Sequence, residues 1–313
     1  MKLSIIVPVY NLENYIATTL ESLLSIHFSS DYEIIVINDG SRDESESVIR
    51  TYQLKYSQII LYSLENQGVS NARNVGISKA TGEYITFVDG DDTVEPGFFE
   101  KAVSELDKGG YDFVQGNFII IDGDKQLHAQ YTETDKEICD KKTMMELFFS
   151  PDKKIHNTVW GKIFRAEVVR RVSFDTSLAV AEDQKYVFDV LRIAKKIKIL
   201  KDVCIHYYQR ESSATHTFSI AKERGKIDVL DYCESHIMYS DITTFIEWSR
   251  MKVLIGIYYY YTKNRDSQAG KIRKKILRLY TKELIPLTCT KTNLILMTMK
   301  YARSALDFYI RRR

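Results

Sequence analysis

The first ninety residues alternate short, largely apolar runs with amphipathic stretches, and this alternation limits the fold more than any other feature of the chain. Residues 3–9, 32–38, 58–62 and 84–88 are rich in Ile, Val, Leu and aromatic side chains. A strand that is apolar on both faces is covered on both faces, as in a parallel sheet sandwiched by helices. Between the runs lie helical patterns. Ile16, Leu20, Leu23 and Leu24 repeat at helical spacing, a second amphipathic stretch ends near residue 56, and a third spans 69–80 with Gly82 just beyond it. Such units join by right-handed crossovers, so the expected class is α/β, with a mainly parallel central sheet flanked by helices.

Open sheets of this class bind ligands at the carboxyl edge. Polar residues collect there: Asn11 after the first strand, Asp39 and Asp43 after the second, Asp89 and Asp91 after the fourth. Asn11 is also a candidate cap for the helix that follows it. The fourth strand runs directly into Asp89-Gly90-Asp91-Asp92. Two carboxylates on a sharp glycine turn suit a hard divalent cation that takes its other ligands from water and phosphate. A helix-capping turn is the competing reading. Asp92 suits that reading, since Pro96 fits the first turn of a helix over 96–108. One nucleotide-diphosphate pocket accounts for the whole cluster. The first strand–helix turn, Pro8-Val9-Tyr10-Asn11-Leu12-Glu13-Asn14, has no glycine-rich phosphate loop, which argues against a P-loop or dinucleotide fold. Phosphate charge then falls to a cation and to basic or polar side chains. Arg73 and Asn74 are candidates, with an exposed helix residue as the alternative for Arg73.

Further along, 112–121 reads as a strand, Gly123 as a turn, 122–140 as a loop or hairpin edge, 141–149 as a helix and 198–208 as one or two strands. Trp160, beside Gly161 and Lys162, either lines a sugar pocket or fills core. Glu182 and Asp183 open an amphipathic helix, where the dipole favours acids. The other reading makes Asp183 a general base facing the crevice. Residues 210–216 form a polar stretch suited to closing over a ligand, and His206 and His216 read as structural or surface residues. From about 218 the pattern is almost wholly helical.

With 44% hydrophobic and 27% charged residues, the composition is that of an ordinary globular protein. No run of about 18 apolar residues is present, and the N-terminus lacks the pattern of a secretory signal. Four cysteines without paired spacing argue against a zinc site or disulfide framework and make a reducing cytosol the expected location. The net charge of +2 conceals an asymmetry. Residues 271–313 hold 12 Lys and Arg against 2 Asp and Glu, whereas the other 270 residues hold 32 against 40. A basic tail on an acidic body fits an anionic surface, with a solvated helical face as the alternative.

Four ordered segments carry a family resemblance: Ile6-Val7-Pro8-Val9-Tyr10-Asn11, Val36-Ile37-Asn38-Asp39-Gly40-Ser41-Arg42-Asp43, Asn66-Gln67-Gly68-Val69-Ser70-Asn71-Ala72-Arg73-Asn74 and Phe87-Val88-Asp89-Gly90-Asp91-Asp92. Together they resemble the motifs of family 2 glycosyltransferases of the GT-A fold. Trp160-Gly161-Lys162 and Glu182-Asp183 are similar to that family's acceptor-side motifs, so the resemblance covers about residues 1–215. It implies a GT-A catalytic domain over 1–217, with a nucleotide-sugar half over 1–95 and an acceptor half over 96–217. Residues 218–313 are the expected basic helical extension, associating with a membrane or with a second copy. By resemblance, Asp39 contacts the nucleotide base or ribose, and Pro8, Tyr10 and Glu13 line that pocket. Asn66 and Gly90 join the donor-binding set, and Arg73 lies near the diphosphate. Asp89 and Asp91 form the Asp-x-Asp element, the latter coordinating Mn²⁺ or Mg²⁺. Asp183 is the catalytic base, with Trp160 and Glu182 on the acceptor side. Gly90 departs from the usual Ser or Ala, a change expected to leave the cation site intact.

The implied activity is inverting, metal-dependent transfer of a sugar from a nucleotide-diphosphate sugar, UDP-sugars favoured, to a hydroxyl of a glycan or lipid-linked acceptor. The implied setting is bacterial capsule, O-antigen or exopolysaccharide synthesis, in the cytoplasm or peripheral on the inner face of the plasma membrane. Nucleic acid is not an expected partner. Two rivals stand beside it. A nucleotidyltransferase would release pyrophosphate and carry a Gly/Arg/Lys-rich phosphate loop, which is missing here. A non-catalytic carbohydrate-binding protein would not need Asp89, Asp91 and Asp183 together.

Overall fold

In the computed structural model the apolar runs pair as neighbours. The model describes residues 1–123, 125–129, 132–152, 154–209 and 218–280, with 292, 295–297, 299 and 310 beyond them. In chain order the elements are β1 (Leu3–Val9), α1 (Ile16–Leu24), β2 (Tyr32–Asn38), α2 (Ser45–Gln53), β3 (Ile59–Ser63), α3 (Val69–Lys79), β4 (Tyr84–Phe87), β5 (Thr93–Val94), α4 (Phe98–Gly109), β6 (Phe113–Asp122), β7 (Lys125–Ala129) and β8 (Lys136–Ile138). They continue with α5 (Lys141–Phe149), β9 (Lys162–Arg165), α6 (Ala166–Val169), α7 (Glu182–Ile193), β10 (Ile197–Tyr208), α8 (Ile220–His236), α9 (Thr243–Lys263) and α10 (Gln268–Leu279).

The sheet order is β3-β2-β1-β4-β9-β6-β10-β5, with β7 paired to β6 and β8 to β10. Strands β3, β2, β1 and β4 are mutually parallel, and every residue of β1 is buried. Complete burial of an Ile or Val side chain is worth roughly 1.5–3 kcal/mol, so this strand is the energetic centre of the parallel half. Strand β9 then enters antiparallel between β4 and β6. Four residues carry no readable period, which is why sequence patterning passed over it. The stretch read as one or two strands is the single strand β10, with register shifts between Ile199 and Val203 and between Val203 and Ile205. The polar segment after Gly123 contains β7, hairpin-paired to β6.

The chain divides into two compact units. The first comprises Met1–Met144 and Lys153–His216, and the second comprises Met145–Asp152 and Thr217–Arg313. In the second unit α9 and α10 bury Met251, Leu254, Tyr258 and Ile276 in an apolar cluster. The exposed side of α10 presents Lys271, Lys274, Lys275 and Arg278, spaced i, i+3, i+4 and i+7. Among the described residues no helix is long and apolar enough to cross a membrane. The loop over 210–216 with its His216, and the terminal Arg311, Arg312 and Arg313, lie outside the described residues.

Candidate active site

At the carboxyl ends of β1 and β4, acids from distant parts of the chain meet one buried cation. Arg73, on α3, is 3% exposed. Its Nη1 donates to Asp183 Oδ1 at 2.6 Å and to Glu182 Oε1 at 3.2 Å, and its Nη2 donates to Asp89 Oδ1 at 3.0 Å. Below it the guanidinium lies 5.4 Å from the Phe174 ring, which stacks on Tyr186 at 3.8 Å. Asn74 fixes Phe174 by two bonds, donating to its carbonyl and accepting from its amide. The expectation that Asn74 meets phosphate is therefore corrected. Its side chain is committed to backbone, and it shapes the aromatic floor under Arg73.

Two acids begin α7, yet neither caps it. Ala181 precedes the helix in a left-handed conformation, φ +59°, and no side chain bonds the first-turn amides from that position. The carboxylates of Glu182 and Asp183 turn to Arg73 instead. Asp183 Oδ2 also accepts from the Val159 amide at 3.2 Å. Burial, with the like charges of Glu182 and Asp89, pushes the Asp183 carboxyl up to about 7 against the opposing pull of Arg73 and the Val159 amide. A carboxylate poised there is matched to proton transfer near neutral pH.

The turn after β4 places Asp89, 29% exposed in its side chain, beside half-buried Asp91. Gly90 between them is a site of close approach: a Cβ there would lie 2.9 Å from Leu12 Cδ1 and 3.1 Å from the Pro8 carbonyl oxygen. Asp92 corrects another expectation. It does not cap α4, whose N-cap is Gly97; its Oδ1 accepts from the Tyr208 amide at 3.0 Å and its Oδ2 is buried without a partner among the described residues. Burial and the neighbouring Asp89 push this carboxyl well above the usual range.

The other strand-exit polar groups have local partners. Asp39, 3% exposed, accepts from the Gln67 and Gly68 amides at 2.9 and 2.8 Å. Asn11, at φ +53°, is not a helix cap, because α1 begins at Ile16; its Oδ1 accepts from the Arg42 amide at 2.8 Å. Asp43 accepts from the Glu13 amide, and Glu13 Oε2 accepts from the Glu44 amide at 2.9 Å. These bonds tie neighbouring strand exits into one rim, so the cluster does not need a ligand to explain it. Along that rim Tyr10 and Asn66 are exposed, and Pro8 is buried in β1.

Trp160 is 6% exposed, stacked on Tyr207 at 5.8 Å and edge-on to Phe118 at 4.8 Å. Of the two readings, sugar pocket or core, these contacts are those of a core residue. His206 pairs with Glu95 at 3.2 Å, a surface contact. Among the described residues no group of three or more His, Cys, Asp and Glu can hold a cation unaided.

Residues 4–173 match the family model described as glycosyl transferase family 2, more than half of the chain. The chain is a family 2 glycosyltransferase. Membership displaces both the nucleotidyltransferase and the carbohydrate-binding alternatives. It is 33% identical over 219 residues to the glycosyltransferase EpsJ of Bacillus subtilis, covering 68% of this chain and 62% of that protein. To the poly(ribitol-phosphate) β-N-acetylglucosaminyltransferase TarS of Staphylococcus aureus it is 28% identical over 226 residues, covering 70% of this chain but 37% of that enzyme. The chain thus spans less than two thirds of the length of these relatives. The crystal structure of TarS residues 1–349 with UDP-GlcNAc superposes with a TM-score of 0.70 at 20% identity, over 100% of this chain and 90% of that one. The mannosyltransferase PcManGT of Pyrobaculum calidifontis, crystallised with GDP-Man and Mn²⁺, superposes with a TM-score of 0.59 at 15% identity, over 99% of this chain and 84% of that one. At these identities the likeness is one of fold: a GT-A α/β architecture followed by helices.

Proposed function

We propose that the chain transfers a sugar, with inversion, from a nucleotide-diphosphate sugar to a hydroxyl of a glycan or lipid-linked acceptor in bacterial surface-polymer synthesis. UDP-sugars are the favoured donors. The observation that carries this reading is the convergence of Asp89, Glu182 and Asp183 on buried Arg73 at the carboxyl edge of the parallel strands. Asp183 takes the proton of the acceptor hydroxyl while the acceptor oxygen attacks the anomeric carbon and the bond from that carbon to the diphosphate oxygen breaks. Arg73 holds that carboxyl in place and, lying behind the acids, reaches the diphosphate only through them. Glu182 and Trp160 shape the acceptor side, the latter through packing. Pro8, Tyr10, Glu13, Asp39 and Asn66 form the nucleotide end.

The donor set fits a hard divalent cation held by few protein ligands. Asp89 gives one oxygen to Arg73, and Asp91 flanks it on the Gly90 turn. These two would hold Mn²⁺ or Mg²⁺, with phosphate and water completing the shell. When bound, the ion offsets the charge that develops on the departing diphosphate. The Mn²⁺ in the mannosyltransferase structure supports a divalent ion in this fold. The basic face of α10 supports a peripheral position on an anionic membrane, where each base near the surface contributes about 1 kcal/mol.

A screen of UDP-, GDP- and dTDP-sugars with Mn²⁺, reading binding and slow hydrolysis, tests the proposal. One nucleotide class should bind and yield a nucleoside diphosphate. Release of pyrophosphate, or no binding by any class, refutes it.

A further inference from the structure

A second buried cation stands near the acids, and the reading above gives it no task. Lys162, at the start of β9, is fully buried. Its Nζ lies 2.8 Å from the His156 carbonyl oxygen, 2.6 Å from the Thr158 carbonyl oxygen and 2.8 Å from His156 Nδ1. His156 Nδ1 also lies 2.7 Å from the Thr158 hydroxyl, and its Nε2 lies 3.4 Å from the Gly116 carbonyl oxygen. The two carbonyl oxygens can only accept, so Lys162 donates to both, and an ammonium has a third N–H to direct at the ring. Among the described residues no carboxylate touches this ammonium.

The loop that Lys162 ties down is the one that supplies Val159, whose amide meets Asp183 Oδ2. The backbone makes this return possible at Gly161, φ +72°, where a Cβ would lie 3.1 Å from the His156 ring. The backbone of Lys162 is itself fixed, since its carbonyl accepts from the Thr86 hydroxyl at 2.7 Å. The charges facing Asp183 are Arg73 from α3, Asp89 from the turn after β4 and Glu182 from its own helix, with the Tyr186 phenol one turn along α7. Arg73 alone does not balance three acids.

We propose that Lys162 is a positioning residue for Asp183: its buried ammonium pins residues 156–159 so that the Val159 amide meets the carboxylate. The inference rests on the assignment of Asp183 as the base but is tested without donor or acceptor. Burial alone pushes the Lys162 ammonium well below a lysine's usual range, and the charge of Asp183 opposes this. The two groups therefore favour each other's charged state.

The experiment is a carboxyl ¹³C titration of Asp-labelled full-length protein, assigned with Asp183→Asn, in wild type, Lys162→Met and Lys162→Gln. Removing the charge should move the Asp183 midpoint up by about one pH unit, the lower end of what a nearby opposite charge supplies. Lys162→Gln, which keeps a donor for the loop, should protect the Val159 amide from exchange better than Lys162→Met while shifting the midpoint equally. An unmoved midpoint overturns the inference. Wild type gives an independent check if both variants fail to fold: side-chain NMR of labelled Lys162 should report an ammonium between pH 6 and 8, and a neutral amine there overturns the inference too. Failure of the assignment of Asp183 as the base would look different, because Asp183→Asn would then leave transfer intact whatever Lys162 does.

Discussion

Asp183→Asn should remove transfer and, at neutral pH, make the protein more stable. The Asp183 carboxyl is raised from 3.8 to about 7 in the native state. An acid with a raised native pKa binds its proton more tightly when folded, so wild-type stability falls as pH climbs from about 4 to about 7 and levels off above that. At 1.36 kcal/mol per pH unit the full penalty is about 4 kcal/mol, a ceiling for a side chain with some solvent access. Asparagine escapes this penalty but must turn its NH₂ towards either the Arg73 or the Val159 N–H, which costs roughly 1–3 kcal/mol at every pH. The net expectation at pH 8 is a gain of about 1–3 kcal/mol. Between pH 8 and pH 5 the gap between variant and wild type should change by about 2–3 kcal/mol, in favour of wild type at the acid end. Urea unfolding followed by Trp160 fluorescence in a Trp248→Phe background isolates the first unit. Transfer should fall by roughly 10²–10⁴-fold, the usual contribution of a positioned base. A stability gap that does not vary with pH, or a loss at pH 8, would show that Asp183 carries no burial penalty and would remove the physical case for its role.

Removing the shared cation acts in the opposite direction. Arg73→Met leaves three carboxylates facing each other over Phe174 and should cost roughly 3–5 kcal/mol, read from the urea midpoint. Asp91→Ala should weaken UDP binding in the presence of Mn²⁺ more than in its absence, which calorimetry with and without the ion reads directly. At the turn between the two acids, Gly90→Ala should cost about 1 kcal/mol, because Leu12 Cδ1 can move and the Pro8 carbonyl cannot; Gly90→Val should cost more and lower ion-dependent UDP binding with it. Replacing Lys271, Lys274, Lys275 and Arg278 together by Glu should abolish sedimentation with vesicles containing anionic lipid, with no change in UDP binding; unchanged sedimentation would assign α10 a solvated role.

The parallel half of the sheet was legible because its strands are apolar on both faces and its crossovers are short. Strand β9 was not, since its four residues, Lys162 to Arg165, have a charge at each end and no period. The acids at 89, 91, 182 and 183 could be picked out one by one from their places at strand and helix ends. That Arg73 bridges three of them, 89, 182 and 183, could not, because it is 110 residues from Asp183 and its sequence pattern points to a phosphate contact or an exposed helix position rather than a buried ion pair. Asp92 and Asn11 misled for a related reason: both are good capping residues by type, and each gives its Oδ1 to a backbone amide that only the tertiary fold brings near.

The same asymmetry explains why a mixed sheet suits this site. Parallel strands deliver acids to one edge, where they repel one another and resist ionisation. Relief has to come from outside that edge. Arg73 reaches in from the middle of α3, and the antiparallel insertion of β9 brings the 156–159 loop, with its buried Lys162, to the first turn of α7. A fully parallel arrangement would place a crossover helix where that loop now lies. On this argument the site's acidity is set as much by the reversed strand as by the carboxylates themselves, so shortening or charging the 156–159 loop should disturb proton transfer more than nucleotide binding.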